Sequence, residues 1–178
     1  RASDHIFGNP SAPVQIVEYA DFECTYCKGF DDTLHQIIAN DGGKGRVAWV
    51  YREFPLTEAH PNAMQDAEAA ECAAVAGGND AFWTYAASLF ENQPVDPTQY
   101  GALAAKAGIP SDAFASCMSN AASTVDPSIE ADRANALAMG ASGTPYTLIL
   151  APGKNPVVVD SAYSYDALKQ LVDQALGN

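Results

Sequence analysis

Short runs of apolar residues alternate with longer amphipathic stretches along the chain, and these two patterns predict strands and helices in turn. A β-branched apolar run at 12–21, introduced by Pro13, is typical of a buried strand. From residue 25 to about 39, apolar side chains recur at spacings of three and four, which predicts an amphipathic helix. Residues 46–54 predict a second strand, which ends before Pro55.

Between this second strand and the C-terminus the pattern changes twice. Residues 57–127 are mostly short alanine-rich segments separated by Gly, Pro, Asp and Asn, which predicts a block of short helices. A further helix is predicted at 126–139. Strand character then returns in TPYTLILAP and NPVVVDS, which Gly-Lys-Asn separates as a hairpin. The segment SYDALKQLVDQALGN predicts a closing helix with Ser164 as its N-cap.

The predicted elements follow the order β-α-β, a helical block, then α-β-β-α. A β-α-β unit implies parallel strands, and the closing hairpin adds antiparallel ones. We therefore expect an α/β fold in which a mixed sheet is flanked by helices and interrupted by a helical insertion.

The 178 residues carry a formal net charge of −13. This charge argues against nucleic acid and anionic membrane surfaces as partners, because both bind clustered Lys and Arg. No apolar run reaches the roughly 18 to 20 residues that cross a bilayer. The chain begins without an initiator Met, from which we expect an upstream segment, either a signal peptide or a membrane anchor.

Two of the four cysteines, Cys24 and Cys27, lie three positions apart where the first predicted strand gives way to the first helix. Residues i and i+3 of a helical turn are neighbours, so this pair can close a short disulfide. Cys24 also lies among unpaired backbone N–H groups at the positive end of the helix dipole, which favours its thiolate. Asp21 and Glu23 oppose this effect if they lie close. We expect a lowered pKa for Cys24.

The same spacing is found in half of a zinc site and in a structural staple. The other two cysteines, Cys72 and Cys117, form no second C-x-x-C, and no His pair has ligand spacing, so we predict no metal. A very short disulfide loop stabilises a fold little, which favours a redox-active pair over a staple. Cys72 and Cys117 are predicted to form a structural disulfide, and the alternative is two buried free thiols.

Three segments together resemble a known family: GNPSAPVQIVEYADFECTYCKGF, VAWVYREFPL and ASGTPYTLIL. They are similar to the DsbA-like branch of the thioredoxin superfamily, the bacterial thiol-disulfide oxidoreductases with a helical domain inserted in a thioredoxin fold. The resemblance covers essentially the whole chain. It implies a thioredoxin-like domain formed by residues 1–56 and 128–178, and an inserted helical domain at 57–127.

The resemblance also implies roles for individual residues. Cys24 would be the exposed nucleophile and Cys27 the shielded partner. Pro145 would be a cis-proline packed against the disulfide, and Thr144 before it would present its backbone to a bound substrate strand. Glu18 stands where such proteins carry a buried acid, and it could relay protons beneath Cys27. The alternative for Glu18 is a carboxylate that reaches solvent.

Thr25 and Tyr26, between the cysteines, are expected to contact substrate and to influence the direction of the reaction. The best-known oxidases of this type have His where Tyr26 stands, and Thr before the cis-proline also occurs in related isomerases and reductases. An isomerase of that kind has an N-terminal dimerisation domain, whereas only about a dozen residues precede the first predicted strand here.

The resemblance therefore favours a monomeric, periplasmic or otherwise exported dithiol oxidase that acts on proteins or peptides with cysteine thiols. It would need no bound cofactor, and a membrane redox protein would reoxidise it. The alternatives are a reductase or isomerase with the same chemistry, or a thioredoxin-fold binding or chaperone module without turnover.

The remaining candidates are interpreted structurally. His35 lies about three turns beyond Cys24, too far to act as its base. His60, before Pro61, is interpreted as a helix-entry residue. Lys28 is interpreted as a solvated helix position, and the alternative is a side chain that slightly favours the thiolate. The apolar residues of the segment FWTYAASLF are expected to form the core of the insertion, although some of them could line a substrate groove.

Overall fold

The strands come from short apolar segments at both ends of the chain. The computed structural model describes residue 1 and residues 3–177. The strands are His5–Gly8 (β1), Val14–Ala20 (β2), Val47–Glu53 (β3), Tyr146–Leu150 (β4) and Val157–Val159 (β5). Within the described residues these five strands form one mixed sheet in the order β1-β3-β2-β4-β5. Among these five described strands only β2 and β3 pair in parallel, as the β-α-β pattern predicts.

The helices lie on both sides of this sheet and in a block between β3 and β4. They are Thr25–Asp41 (α1), Ala63–Gly77 (α2), Asn79–Asn92 (α3), Tyr100–Lys106 (α4), Ser111–Met118 (α5), Ala121–Thr124 (α6), Asp126–Ala138 (α7) and Tyr165–Leu176 (α8). The Ser164 hydroxyl accepts a hydrogen bond from Ala167 N, so Ser164 is the N-cap of α8 as predicted. The predicted element order is confirmed from β2 onward.

Strand β1 was not predicted. It is four residues long and pairs antiparallel with β3 at the edge of the sheet, from His5 opposite Tyr51 to Gly8 opposite Ala48. A segment this short has too little alternation to signal a strand, and the edge of β3 supplies its hydrogen-bond partners. The expectation that the first strand begins after about a dozen residues is therefore wrong.

The two faces of the sheet have separate apolar cores. Val17 and Tyr19 on β2 pack with Ala136 of α7 on one face. Ile16 on β2 belongs to the other face, where α1, α8 and the inserted helices pack. Because side chains alternate along a strand, Glu18 lies on the same face as Ile16, beneath α1 and the cysteine pair.

The inserted helices continue the core of the sheet. The side chains of Phe82, Trp83, Tyr85, Leu89 and Phe90 on α3 are all buried in the cluster that also contains Trp49, in keeping with the core interpretation. We propose that residues 57–127 form an inserted helical domain and that residues 1–56 and 128–178 together form the thioredoxin-like domain. Two residues of the latter, Ala2 and Asn178, lie outside the described residues.

A disulfide joins Cys72 on α2 to Cys117 on α5, with 5.5 Å between their Cα atoms. The bridge closes a loop with a sequence separation of 45 residues. In the chain-entropy model a loop of this length restricts the unfolded chain enough to contribute about 4 kcal/mol.

We predict that the Cys24→Ala/Cys27→Ala protein loses about 4 kcal/mol of unfolding free energy when Cys72–Cys117 is reduced. Removing the other two cysteines ensures that the reductant acts on this bridge alone. Denaturant unfolding of the oxidised and reduced forms measures the difference. A loss below about 1 kcal/mol would contradict the stabilising role.

Candidate active site

The cysteine pair lies at a strand-to-helix turn. Strand β2 ends at Ala20, and Cys24 is the N-cap of α1. Cys24 N donates to the carbonyl oxygen of Asp21 at 3.1 Å, and Lys28 N donates to the Cys24 carbonyl at 3.2 Å. The placement predicted from the sequence is confirmed, and the next backbone N–H groups of α1 lie around the Cys24 sulfur.

Both thiols are free and buried. Cys27 is 0% exposed and Cys24 is 5% exposed. The expectation of an exposed nucleophile therefore needs correction, because Cys24 is only the more accessible of two buried sulfurs. The Tyr26 side chain of this turn is instead exposed, at 71%. Thr25 is also exposed, so these two residues form the outer surface of the site.

The pKa of Cys24 is lowered from an ordinary 9.0 to about 5. The largest cause is the hydrogen bond with the Cys27 side chain. Burial opposes it, and the nearby Thr144 side chain and the backbone N–H groups of Cys27 and Tyr26 lower the pKa again. A helix end alone shifts a pKa by only about one unit. Convergent donors therefore supply most of the stabilisation of the thiolate.

The pKa of Cys27 is displaced in the opposite direction. Burial raises it well above 9.0, and the hydrogen bond with Cys24 and the charges of Glu18 and Cys24 raise it further. The two thiols of one short motif therefore differ chemically. Cys24 is an anion at neutral pH, and Cys27 holds its proton.

Glu18 is 1% exposed and lies on β2 beneath the pair. Trp49 Nε1 donates to its Oε2 at 3.0 Å, whereas Oε1 has no hydrogen-bond partner among the described residues. Burial is the main cause that raises its pKa well above 4.5, followed by the charge of Asp31, and the charge of Cys24 adds to the effect. The alternative in which Glu18 reaches solvent is wrong.

The loop before β4 closes the site on one side. The Thr144–Pro145 peptide bond is cis, which is the geometry that the resemblance implied. Cys24 Sγ lies 3.5 Å from the Thr144 carbonyl oxygen, to which it can donate a hydrogen bond only in its protonated form. The fold thus brings Thr144 to the cysteine pair across 120 positions of sequence. Cys72 and Cys117 do not join this site, since they bond to each other.

The contact between Asp21 and His60 at the site was not identified from sequence. The Asp21 side chain is fully buried, and its Oδ2 lies 2.9 Å from His60 Nδ1. The interpretation of His60 as a helix-entry residue needs correction, because the N-cap of α2 is Asn62 and the His60 side chain turns toward the active-site turn. An acid directly after a buried strand was the only available signal.

The other sequence candidates lie on α1. The ring of His35 contacts Phe7 and Trp49, and its Nε2 lies 3.6 Å from Asp31 Oδ2. Lys28 Nζ donates to the Glu91 carbonyl at 3.4 Å. Over residue 1 and residues 3–177, no group of three or more His, Cys, Asp or Glu side chains is arranged to hold a metal. No helix in that part of the chain is both long and apolar enough to cross a membrane.

Comparison with known sequences places the chain in a family. A family model described as Thioredoxin matches residues 1–174. Among curated proteins, the Na(+)/H(+) antiporter NhaA 1 of Mycolicibacterium gilvum is 40% identical over 90 residues, which is 51% of this chain and 14% of that protein. The chain thus spans about a seventh of the length of this relative, whose name describes the whole protein.

Comparison with solved structures shows the same fold. Wolbachia pipientis alpha-DsbA1 superposes with a TM-score of 0.83 at 20% identity, over 98% of this chain and 91% of that one. BdbD from Bacillus subtilis, in its oxidised form, gives 0.81 at 23% identity, over 99% and 95%. The resemblance to DsbA-type proteins is therefore confirmed for the whole fold, including the inserted helices.

We predict that Cys27→Ala raises the pKa of Cys24 from about 5 by one to two units. The variant removes the strongest donor to the thiolate, and a hydrogen bond to a charged group contributes about 1.5 to 3 kcal/mol. Cys27→Ser retains a donor and should give an intermediate value. Ultraviolet absorbance of the thiolate against pH measures both. An unchanged pKa in Cys27→Ala would show that other groups hold the charge.

We also predict a pH-dependent stability of the reduced protein. A group whose pKa is lowered on folding stabilises the folded state above its unfolded pKa, and this contribution disappears as pH falls to the folded pKa. For Cys24 it is complete above about pH 9 and absent below about pH 5. The unfolding free energy of the reduced protein, minus that of Cys24→Ser, should therefore decrease as the pH is lowered from about 9 to about 5. A difference independent of pH would contradict the lowered pKa.

Proposed function

We propose that this chain, which belongs to the thioredoxin family, is a thiol-disulfide oxidoreductase that acts mainly as a dithiol oxidase of cysteine-containing proteins or peptides. The observation that carries the proposal is the difference between its two thiols. Cys24 has a pKa of about 5, whereas the pKa of Cys27 is raised well above 9.0. A purely structural pair has no need of such a difference.

Oxidation of a substrate proceeds in two exchanges. A substrate thiolate forms a bond to Cys24 Sγ, the Cys24–Cys27 bond breaks, and its electron pair goes to Cys27, which takes a proton. A second substrate thiolate then attacks the substrate sulfur of the mixed disulfide, and Cys24 leaves as a thiolate. The substrate loses two electrons and two protons. Cys27 keeps one proton and solvent receives the other.

The direction follows from which redox state is stabilised. Hydrogen bonds to the Cys24 thiolate exist only in the reduced protein, so they favour transfer of the disulfide to substrate. The reverse direction, as a reductase or isomerase, is the alternative, and it requires the oxidised pair to be the more stable form. A binding or chaperone module that keeps the fold without turnover is the alternative from another class.

The remaining residues take supporting roles. Glu18 serves as the proton relay of Cys27, because it is buried and its charge raises the pKa of that thiol. Thr144 and Pro145 receive the substrate backbone beside Cys24, and Thr25 and Tyr26 contact its side chains from the exposed surface of the turn. The protein requires no bound cofactor for this chemistry.

We place the protein in the periplasm or another oxidising compartment, as a monomer reoxidised by a membrane redox protein. The Cys72–Cys117 disulfide supports this location, since such bridges persist outside the reducing cytosol. A DsbA-type protein reduced at each turnover also needs an electron acceptor.

We predict that Glu18→Gln slows thiol-disulfide exchange by about a hundredfold, the usual scale of a lost general acid or base. Gln keeps an oxygen that can accept from Trp49 Nε1 but cannot carry the proton. Stopped-flow measurement of mixed-disulfide formation and resolution would report the effect. Equal rates in the variant and the wild type would remove Glu18 from the mechanism.

Refolding of a reduced, cysteine-rich substrate protein tests the function directly. We expect the oxidised wild type to form substrate disulfides and Cys24→Ser to form none. A strongly reducing potential of the wild-type pair, measured against glutathione, would favour the reductase alternative. A Cys24→Ser protein that still performs the cellular role would favour the binding module.

A further inference from the structure

The loop between β3 and α2 is fastened to the active-site turn by two carboxylates. Asp21 Oδ1 accepts from Glu23 N at 2.8 Å, and its Oδ2 accepts from Leu56 N at 2.8 Å. Glu23 Oε2 accepts from Asn62 N at 2.6 Å. These bonds hold the loop beside the N-terminus of α1 at both of its ends.

His60 lies within this fastened loop, and its Nδ1 is 2.9 Å from Asp21 Oδ2. Because a carboxylate can only accept, Nδ1 carries a hydrogen that it donates to Asp21. The titrating atom is therefore Nε2. The side chain is 26% exposed, so the imidazole can exchange protons with solvent while Asp21 fixes its position.

The charges around His60 favour its protonated form. Burial lowers its pKa, but the hydrogen bond and charge of Asp21 outweigh burial, and the charges of Cys24 and Glu23 raise the pKa further, above 6.5. The groups that act on His60 thus come from the active-site turn, and all of them are anionic. Tyr26, an exposed residue of the same turn, supplies no positive charge.

We propose that His60 is a positioning residue of the redox site: its imidazolium, held by Asp21, stabilises the Cys24 thiolate across the gap between the loop and α1. The proposal rests on the proposed function and adds a group to it. When the pair is reduced by two electrons, Cys27 takes a proton and Cys24 remains a thiolate. The imidazolium of His60 balances that charge.

The consequence is a redox equilibrium that depends on the protonation of His60. Between the pKa of Cys24 and that of His60, the reduced site contains a thiolate and an imidazolium. Above the pKa of His60 the imidazolium is lost, and the thiolate then lacks its compensating charge. The pair becomes a weaker oxidant in that range.

The first test uses the wild-type protein alone. Oxidation removes the thiolate, so the proton affinity of His60 should fall by about tenfold between the reduced and oxidised forms. Nuclear magnetic resonance titration of the imidazole measures this in both states, with His35 as the internal control whose affinity stays the same. Equal proton affinities of His60 in the two states would overturn the proposal.

The second test replaces the charge. His60→Asn keeps a donor for Asp21 but has no positive charge. We expect this variant to raise the pKa of Cys24. We also expect it to shift the glutathione equilibrium about tenfold toward the oxidised protein, equivalent to about 30 mV. His60→Lys restores a positive charge and should return both values to within about threefold of the wild type. His60→Asn within twofold of the wild type would contradict the proposal.

These measurements separate the two proposals. The titrations of His60 and of the Cys24 thiolate require no substrate, so they report on the charge pair even if the protein fails to oxidise any substrate protein. If the wild type refolds substrate but the proton affinity of His60 is the same in both redox states, the proposed function stands and the role of His60 is overturned.

Discussion

One negative charge on the Cys24 sulfur, at the first turn of α1, is the state on which the arrangement of the site depends. Burial alone would raise the pKa of this thiol, and hydrogen bonds led by the Cys27 side chain reverse the effect. The same hydrogen bond raises the pKa of Cys27. One hydrogen bond therefore makes the pKa values of the two thiols differ, and the proposed direction of exchange follows from this difference.

The sheet positions the acids that act on this charge. Glu18 lies opposite Tyr51 on β3 and Thr147 on β4, so two neighbouring strands fix its place beneath α1. Asp21 follows the end of β2 and holds the loop that contains His60. Buried carboxylates without such hydrogen bonds would cost several kcal/mol. The hydrogen bonds to Asp21 and to Glu18 offset part of this cost.

The inserted helices and the sheet share one core, which contains Trp49, Phe82 and Phe114. The Cys72–Cys117 disulfide fastens α2 to α5 within the insertion. The loop that carries His60 leads from β3 into α2, so the packing of the insertion also helps to set the geometry of the proposed redox site.

The sequence by itself determined the elements whose signal is local. Apolar spacing predicted β2 through α8, and the strand-to-helix position of Cys24 predicted a lowered pKa, because a helix N-terminus belongs to its own segment. Strand β1 was not predicted because four residues are too few to show a periodic pattern, and because its hydrogen-bond partners lie on β3. The burial of Glu18 and the Asp21–His60 pair were decided only by tertiary structure, because each brings together groups tens of positions apart. The pKa of about 5 combines a local contribution from Cys27 and Tyr26 with burial and with Thr144, and these last two act through space rather than along the chain.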